Sequence, residues 1–135
     1  MKKENLYKIN TSKLWNSYNY VKKYDNLKYT KKDGNTYYMN SRRDGVLKYL
    51  DSLKLGNKIS ILELGYGAGQ NAAYFIKKCA KFYGVDVSLP LAKFARKNNK
   101  KAVRNSKAKF LVGSMDKKLQ FKNNSIDVII IVGAL

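Results

Sequence analysis

Along most of this chain, apolar positions recur with one of two periods. Val46, Leu47, Leu50 and Leu53 share one face of a helix predicted over 42–53, with Ser41 as its cap and Asp44 three residues on. Gly56-Asn57 ends it. Residues 58–64 then read as a first strand. Ala72, Phe75, Ile76 and Cys79 return to helical spacing, which predicts a helix over 68–79. Residues 81–87 read as a second strand. A helix to about residue 103 follows, with Ser88 as cap and Pro90 in the first turn, where its missing N–H costs nothing. Residues 108–112 form a third strand, Asn123-Asn124-Ser125 a turn, and 125–132 a fourth strand that is nearly solid with β-branched side chains and needs cover on both faces.

The order is strand–helix–strand–helix–strand–strand behind a polar opening of about forty residues. Right-handed crossovers place the strands 3-2-1-4 in an α/β sheet. Strand four is then an apolar edge, which more protein, another subunit or a local rearrangement has to protect. The opening is rich in aromatics: Tyr7, Trp15, Tyr18, Tyr20, Tyr24, Tyr29, Tyr37 and Tyr38. Leu14, Trp15, Tyr18 and Val21 fit a short amphipathic helix, and Asp33-Gly34 is a turn signal. Two units follow: a helical, aromatic preface over 1–40 and a ligand-binding domain over 41–135.

The chemistry gathers at the strand tips. Residues 59–70 read ISILELGYGAGQ, a buried strand running directly into a glycine-dense turn. Open α/β sheets bind nucleotide-like ligands there. Gly65 suits a tight, left-handed turn, Gly67 lets a ligand approach bare backbone, and Gly69 allows close helix packing. A dinucleotide loop needs its third glycine one place later, where this chain has Gln70. Glu63, just before the glycines, is poor company for a pyrophosphate. It suits a ligand with an amino group or positive centre, or else orders the loop by accepting backbone N–H bonds. Asp86 ends strand two at a distance that suits the two ribose hydroxyls of an adenosine. The alternative is a helix-start acid beside Ser88. Asp116, in VGSMD, is placed to accept from an adenine amine while Met115 meets the ring; otherwise it is a surface acid and Met115 is core. Asp127 reads as an acid that fixes loop backbone at the sheet's far end.

Composition narrows the classes. With 135 residues there is room for one domain. The lone Cys79 excludes an internal disulfide and reads as small core packing. The absence of histidine removes His-based acid/base chemistry and His metal sites. No apolar run is long enough to span a bilayer and no signal-peptide core is present, so a cytoplasmic protein is the simplest reading. The net charge of +19 suits a nucleic-acid or other anionic partner, or is a lysine-rich surface with no dedicated partner. Its densest run, Lys93 to Lys109, contains no acid.

In these motifs the chain resembles the class I S-adenosylmethionine-dependent methyltransferases, nearest the small-molecule type that includes ubiquinone/menaquinone-biosynthesis enzymes. ILELGYGAGQ resembles the family's first motif and FYGVDVS its second. VGSMDKKLQFKNNSIDVIIIVGAL resembles the stretch from adenine-binding loop through strand four. The resemblance implies a Rossmann-like, three-layer αβα fold, of which this sequence reads as the N-terminal portion, truncated after strand four. It implies S-adenosylmethionine, or its product S-adenosylhomocysteine, as cofactor. The binding set it implies is Glu63, Gly65, Tyr66, Gly67 and Gly69 on the first motif and Asp86 and Val87 on the second. Ser114, Met115 and Asp116 on the adenine loop complete it, with Val132 (or Gly133) near the methionine end; the preface over 1–40 is expected to cover substrate or cofactor, and Arg42, with Tyr37 and Tyr38, stands where such covering groups precede the core. No general base or other catalytic residue is identifiable. The expected acceptor is a small molecule, with a homodimer or partner chain against strand four. A non-catalytic cofactor-binding or regulatory module and an RNA methyltransferase remain as alternatives. An NAD-dependent enzyme is disfavoured by Gln70 and Glu63.

Overall fold

The computed structural model describes residues 11–27 and 34–132. The expectations for Tyr7, Tyr29, Asp33 and Gly133, and for the side chain of Tyr24, lie outside the described residues. Among the described residues, helices and strands follow in the order α1 (Thr11–Trp15), α2 (Tyr18–Leu27), α3 (Gly34–Ser52), β1 (Ser60–Leu64), α4 (Ala72–Ile76), β2 (Lys81–Asp86), α5 (Leu89–Asn98), α6 (Lys100–Arg104), β3 (Ala108–Val112) and β4 (Val128–Ile131). The strands form one parallel sheet in the order β3-β2-β1-β4, as right-handed crossovers require. All four carboxyl ends therefore lie at the same end of the sheet.

Side chains alternate between the two faces of each strand. On one face Ile61, Phe82, Ala108, Phe110, Ile130 and Val132 form the main core with Leu50 of α3, Phe75 and Ile76 of α4, Ala92 and Ala95 of α5 and Ala102 of α6. On the other face Leu62, Leu64 and Val85 are covered by Met115, Leu119, Phe121 and Ile126 from the β3–β4 connection. Helices α3 to α6 thus lie on one face, α1 and α2 pack on α5 and the turn after β1, and an irregular segment covers the middle of the other face. At the β4 edge that second face is open, with Ile129 and Ile131 59% and 39% exposed.

Several element bounds differ from expectation, each for a local reason. Ser41 lies inside α3 and caps nothing, because the helix begins seven residues earlier at Gly34. The expected amphipathic helix in the opening is two helices, α1 and α2, separated by Asn16 and Ser17. The helix expected from residue 68 starts at Ala72, because Gly67 and Gly69 hold positive φ of 58° and 78°, which no helix accommodates. The helix expected to run to residue 103 breaks at Asn99 (φ −122°, ψ 35°) into α5 and α6. Strand four is shorter than expected because Asp127 is held by Ser60. Its carboxylate accepts from the Ser60 N–H at 2.7 Å and its own N–H donates to the Ser60 carbonyl at 3.0 Å. That is the far-end role expected of Asp127. Cys79 is buried in the core, as expected, and burial pushes its thiol pKa up.

Candidate functional site

The glycine turn leaves β1 and is tied down from three directions. Gly65 N–H donates to the Val85 carbonyl at 2.8 Å, which carries the β1–β2 ladder one residue past the strand. Gly67 N–H donates to Asp86 Oδ2 at 3.0 Å. The carbonyls of Ala68 and Gly69 accept from the side-chain amides of Asn98 (2.9 Å) and Asn99 (3.1 Å). Gly69 is required on two counts. Its φ is in the left-handed region, and an added Cβ would stand 2.7 Å from Asn99 Nδ2 and 3.1 Å from Ala95. The close packing expected of Gly69 is therefore against α5, two elements on, and not against the helix that follows the turn.

Glu63 and Asp86 stand at the centre. Glu63 is 1% exposed, and its Oε2 has no hydrogen-bond partner among the described residues. Burial pushes its pKa up to about 8, and the neighbouring Asp86 charge adds to the shift. Asp86 is also buried. Its two carboxylate oxygens accept from Gly67 N–H and from Ser88 N–H, each at 3.0 Å. Burial raises its pKa, and the Gly67, Ser88 and Val87 N–H groups pull it back down. With these three N–H groups turned toward it, the Asp86 carboxylate still has acceptor capacity left for an incoming hydroxyl. Gln70 has a buried amide nitrogen that is likewise unpartnered. Unpaired buried polar atoms are rare in folded proteins, and here two flank one glycine turn.

The other expected residues are distributed around this centre. Gly113 N–H donates to the Asp86 carbonyl at 2.8 Å, which starts the loop bearing Ser114, Met115 and Asp116 beside the tip of β2. Asp116 is exposed and accepts a short bond from the Ser114 hydroxyl. Met115 is half-buried against the Leu62–Leu64–Val85 cluster. Val87 is half-buried, and Val132 is buried at the end of β4. Tyr66 turns its side chain away from the turn: its ring packs on Phe110 and its hydroxyl donates to the Leu111 carbonyl at 3.1 Å. What Tyr66 can offer a ligand is backbone. Arg42 is exposed on α3, with its guanidinium 5.3 Å from the Tyr38 ring centroid. It lines a groove against β4, with no described contact to the glycine turn.

Three contributions were not read from the sequence. Asn98 and Asn99, expected inside a continuous helix, grip the glycine turn. Arg96 donates to the Phe110 carbonyl at 2.6 Å, bracing α5 on β3. The preface docks on the turn itself: Val21, with none of its surface exposed, packs with Ala68 and Leu91, and Trp15 and Phe94 pack around them. Ser88 joins the two parts. Its hydroxyl caps α5 through Leu91 N–H at 3.1 Å and makes a short bond to the Trp15 carbonyl. The cap was legible in the sequence; the partner in the preface carries no local signal.

A family profile described as "Methyltransferase domain" matches residues 61–135, more than half of the chain. The chain belongs to this methyltransferase-domain family. A comparison with curated protein sequences finds no match. Solved structures agree on the fold. A candidate S-adenosyl-L-methionine-dependent methyltransferase of Methanococcus maripaludis aligns with a TM-score of 0.65 at 15% identity, over 87% of this chain and 51% of that one. A SAM-dependent methyltransferase from Aquifex aeolicus gives 0.57 at 23% identity, over 85% and 56%. One from Thiobacillus denitrificans, solved with S-adenosyl-L-homocysteine, gives 0.53 at 21%, over 67% and 36%. The methyltransferase-domain chain spans between about a third and just over half of these structures.

The fit of the family's cofactor, S-adenosyl-L-methionine, can be judged on this chain's own atoms. It carries an ammonium, a carboxylate, a sulfonium and a ribose. The unpartnered Oε2 of Glu63 matches a cationic donor, the spare lone pairs of Asp86 match ribose hydroxyls, and the unpartnered Gln70 amide matches an anionic acceptor. The residues present fit the group. No helix among the described residues is long and apolar enough to cross a membrane.

Proposed function

We propose that this methyltransferase domain binds S-adenosylmethionine and its demethylated product at the strand tips, and transfers a methyl group to a small molecule. The observation that carries the reading is the buried, unpartnered carboxylate oxygen of Glu63 beside the glycine turn. When bound, the cofactor supplies an electrophilic methyl group. The chain's own residues orient and hold. Glu63 accepts from the ammonium, Asp86 accepts from the ribose while bracing Gly67, and the turn presents backbone without side chains. Ser114, Met115 and Asp116 border the adenine end, and Val87, Val132 and the Tyr66 backbone complete the walls. Residues 1–40 act as cover, which the packing of Val21 on Ala68 supports, and Arg42 belongs to the same cover. Among the described residues no side chain at the tips is set up as a general base, so catalysis rests on orientation and exclusion of water.

Calorimetry tests the binding. S-adenosylhomocysteine titrated into the wild type gives a saturable heat, and Asp86→Ala weakens it. No heat with either cofactor form, or an unchanged affinity in the variant, counts against the site. Saturable binding with no methyl transfer to any pool of small-molecule acceptors leaves the non-catalytic module as the function.

The β4 edge supports a second element of the reading. Ile129 and Ile131 are exposed, and no cation lies between Ile126 and Val132 in a chain of net charge +19. An unguarded apolar edge recruits another strand. A second copy of the chain is the proposed cover, and Ile129→Lys then lowers the sedimenting mass to that of a monomer. A wild type that sediments as a monomer at high micromolar concentration rejects it.

A further inference from the structure

From Val87 to Met115 the sequence holds eight cations and no acid. The fold uses few of them internally. Arg96 braces β3, and Lys107 is half-buried. Lys93 and Lys97 of α5 and Lys100, Lys101 and Arg104 of α6 are all exposed. The inward residues of these helices are Leu91, Ala92, Ala95 and Ala102, so the five cations stand on the outer surface, at spacings of three and four along most of it. Lys100, Lys101, Arg104 and Asn105 alone line a shallow depression there. Among the described residues the ion pairs are Arg43–Asp44 and Lys78–Asp51, and neither involves this ridge.

We propose that the α5–α6 ridge is a docking surface for the phosphodiester backbone of a nucleic-acid duplex. Like charges packed this closely repel one another, and a polyanion relieves that repulsion and releases its own counterions. The side chains present are lysine, arginine and asparagine, all donors to phosphate oxygens. No exposed aromatic ring lies on α5 or α6 to stack unpaired bases, which favours a duplex over a single strand. An anionic membrane is disfavoured because the only large exposed apolar side chain on these two helices is Leu89, at the opposite end from Arg104. The ridge leads into the amino end of β3, whereas Glu63 and Asp86 lie at the carboxyl ends of β1 and β2. The surface therefore tethers the domain to a duplex without presenting that duplex to the crevice, and it stands independently of the cofactor site.

The test is fluorescence anisotropy of the full chain with a 20-base-pair RNA duplex and a DNA duplex of the same sequence, from 50 to 200 mM salt. Neutralising about five phosphates gives a slope of log affinity against log salt near −4 to −5. The triple variant Lys100→Ala, Lys101→Ala, Arg104→Ala makes the slope shallower by about 3 and weakens binding at least tenfold at 50 mM salt. A charge-matched control, Lys48→Ala, Lys58→Ala, Lys122→Ala, keeps at least half of the wild-type affinity. Preference for RNA assigns a contribution to the 2′-hydroxyl, and equal binding of both duplexes assigns recognition to phosphate alone; either result supports the ridge. No binding of either duplex at 50 mM salt overturns the proposal. So do equal losses in the two triple variants, or binding to anionic vesicles in place of duplex.

Discussion

The ring of Tyr66 lies where Gly84 has no side chain. A Cβ at position 84 would meet Tyr66 Cδ1 at 2.5 Å. Tyr66 belongs to the glycine turn and Gly84 to the strand beside it, so the turn is held in place by an aromatic ring laid across β2. Its hydroxyl reaches the Leu111 carbonyl of β3. Gly84→Ala is expected to cost about 1–3 kcal/mol through overpacking. Tyr66→Phe, which keeps the ring and loses the hydroxyl bond, is expected to cost about 1 kcal/mol. Urea denaturation of the three proteins checks both values, and a Gly84→Ala chain as stable as wild type would show that the ring moves aside freely.

Asp86 serves the fold and the ligand at once, so substitutions there separate the two roles. Asp86→Asn keeps an acceptor for one of the two backbone N–H groups, whereas Asp86→Ala leaves both unmet. Losing charged hydrogen bonds to a ribose costs about 1.5–3 kcal/mol, or roughly ten- to hundredfold in affinity. Calorimetry with S-adenosylhomocysteine should find the alanine variant weaker by that factor and the asparagine variant in between.

Glu63 gives a pH signature to stability. The unfolded chain releases this proton near the ordinary value of 4.5, while the folded protein holds it to about 8. Between those values the folded state binds more protons, so stability falls as pH rises and levels off above about 8. The raised pKa of Asp86 acts in the same direction. Glu63→Gln is expected to remove most of the slope, as read from urea midpoints at a series of pH values. A slope unchanged by the substitution would refute the assignment.

The same carboxyl links protons to ligand binding. A cationic group beside Glu63 favours its ionised form. Binding of S-adenosylmethionine at pH 7 should release a proton, and affinity should rise toward pH 8. Calorimetry in two buffers of different ionisation heat reads the proton directly, and Glu63→Gln should abolish the release. A release of the same size in that variant would move the effect to another group.

Gly69→Ala combines two penalties. The left-handed backbone costs about 1–2 kcal/mol for a residue with a Cβ, and the new atom meets Asn99 and Ala95 at 2.7–3.1 Å. The variant should melt well below wild type and bind cofactor weakly even at temperatures where it is folded. Asn99→Ala relieves part of the clash, so the double variant should recover stability relative to Gly69→Ala; simple additivity of the two changes would contradict the contact.

The strand order and the tips of β1 and β2 were legible because period-two apolar runs and the glycine turn are local signals. Ser88 as a cap, the Asn123–Ser125 turn and the far-end role of Asp127 were legible for the same reason. The start of α4 was misjudged because Ala68 fits a helical period, while the positive φ at Gly67 and Gly69 overrules it. The kink at Asn99 could not be read, since its cause is a carbonyl thirty residues earlier in the chain. Tyr66 is the instructive case at the site. Its place in the motif leaves the ring two directions, away from the ligand or into the pocket, and the empty space at Gly84 decides for the first.

The burial of Val21 against Ala68 has a consequence for how the molecule opens. Helices α1 and α2 and the ligand loop share one small apolar contact, so neither can loosen without uncovering the other. A ligand that stiffens the loop should slow amide exchange in α2, more than forty residues upstream, and trimming the chain before α3 should leave the loop slack. The opening segment and the crevice would then protect or expose one another as a single hinged body.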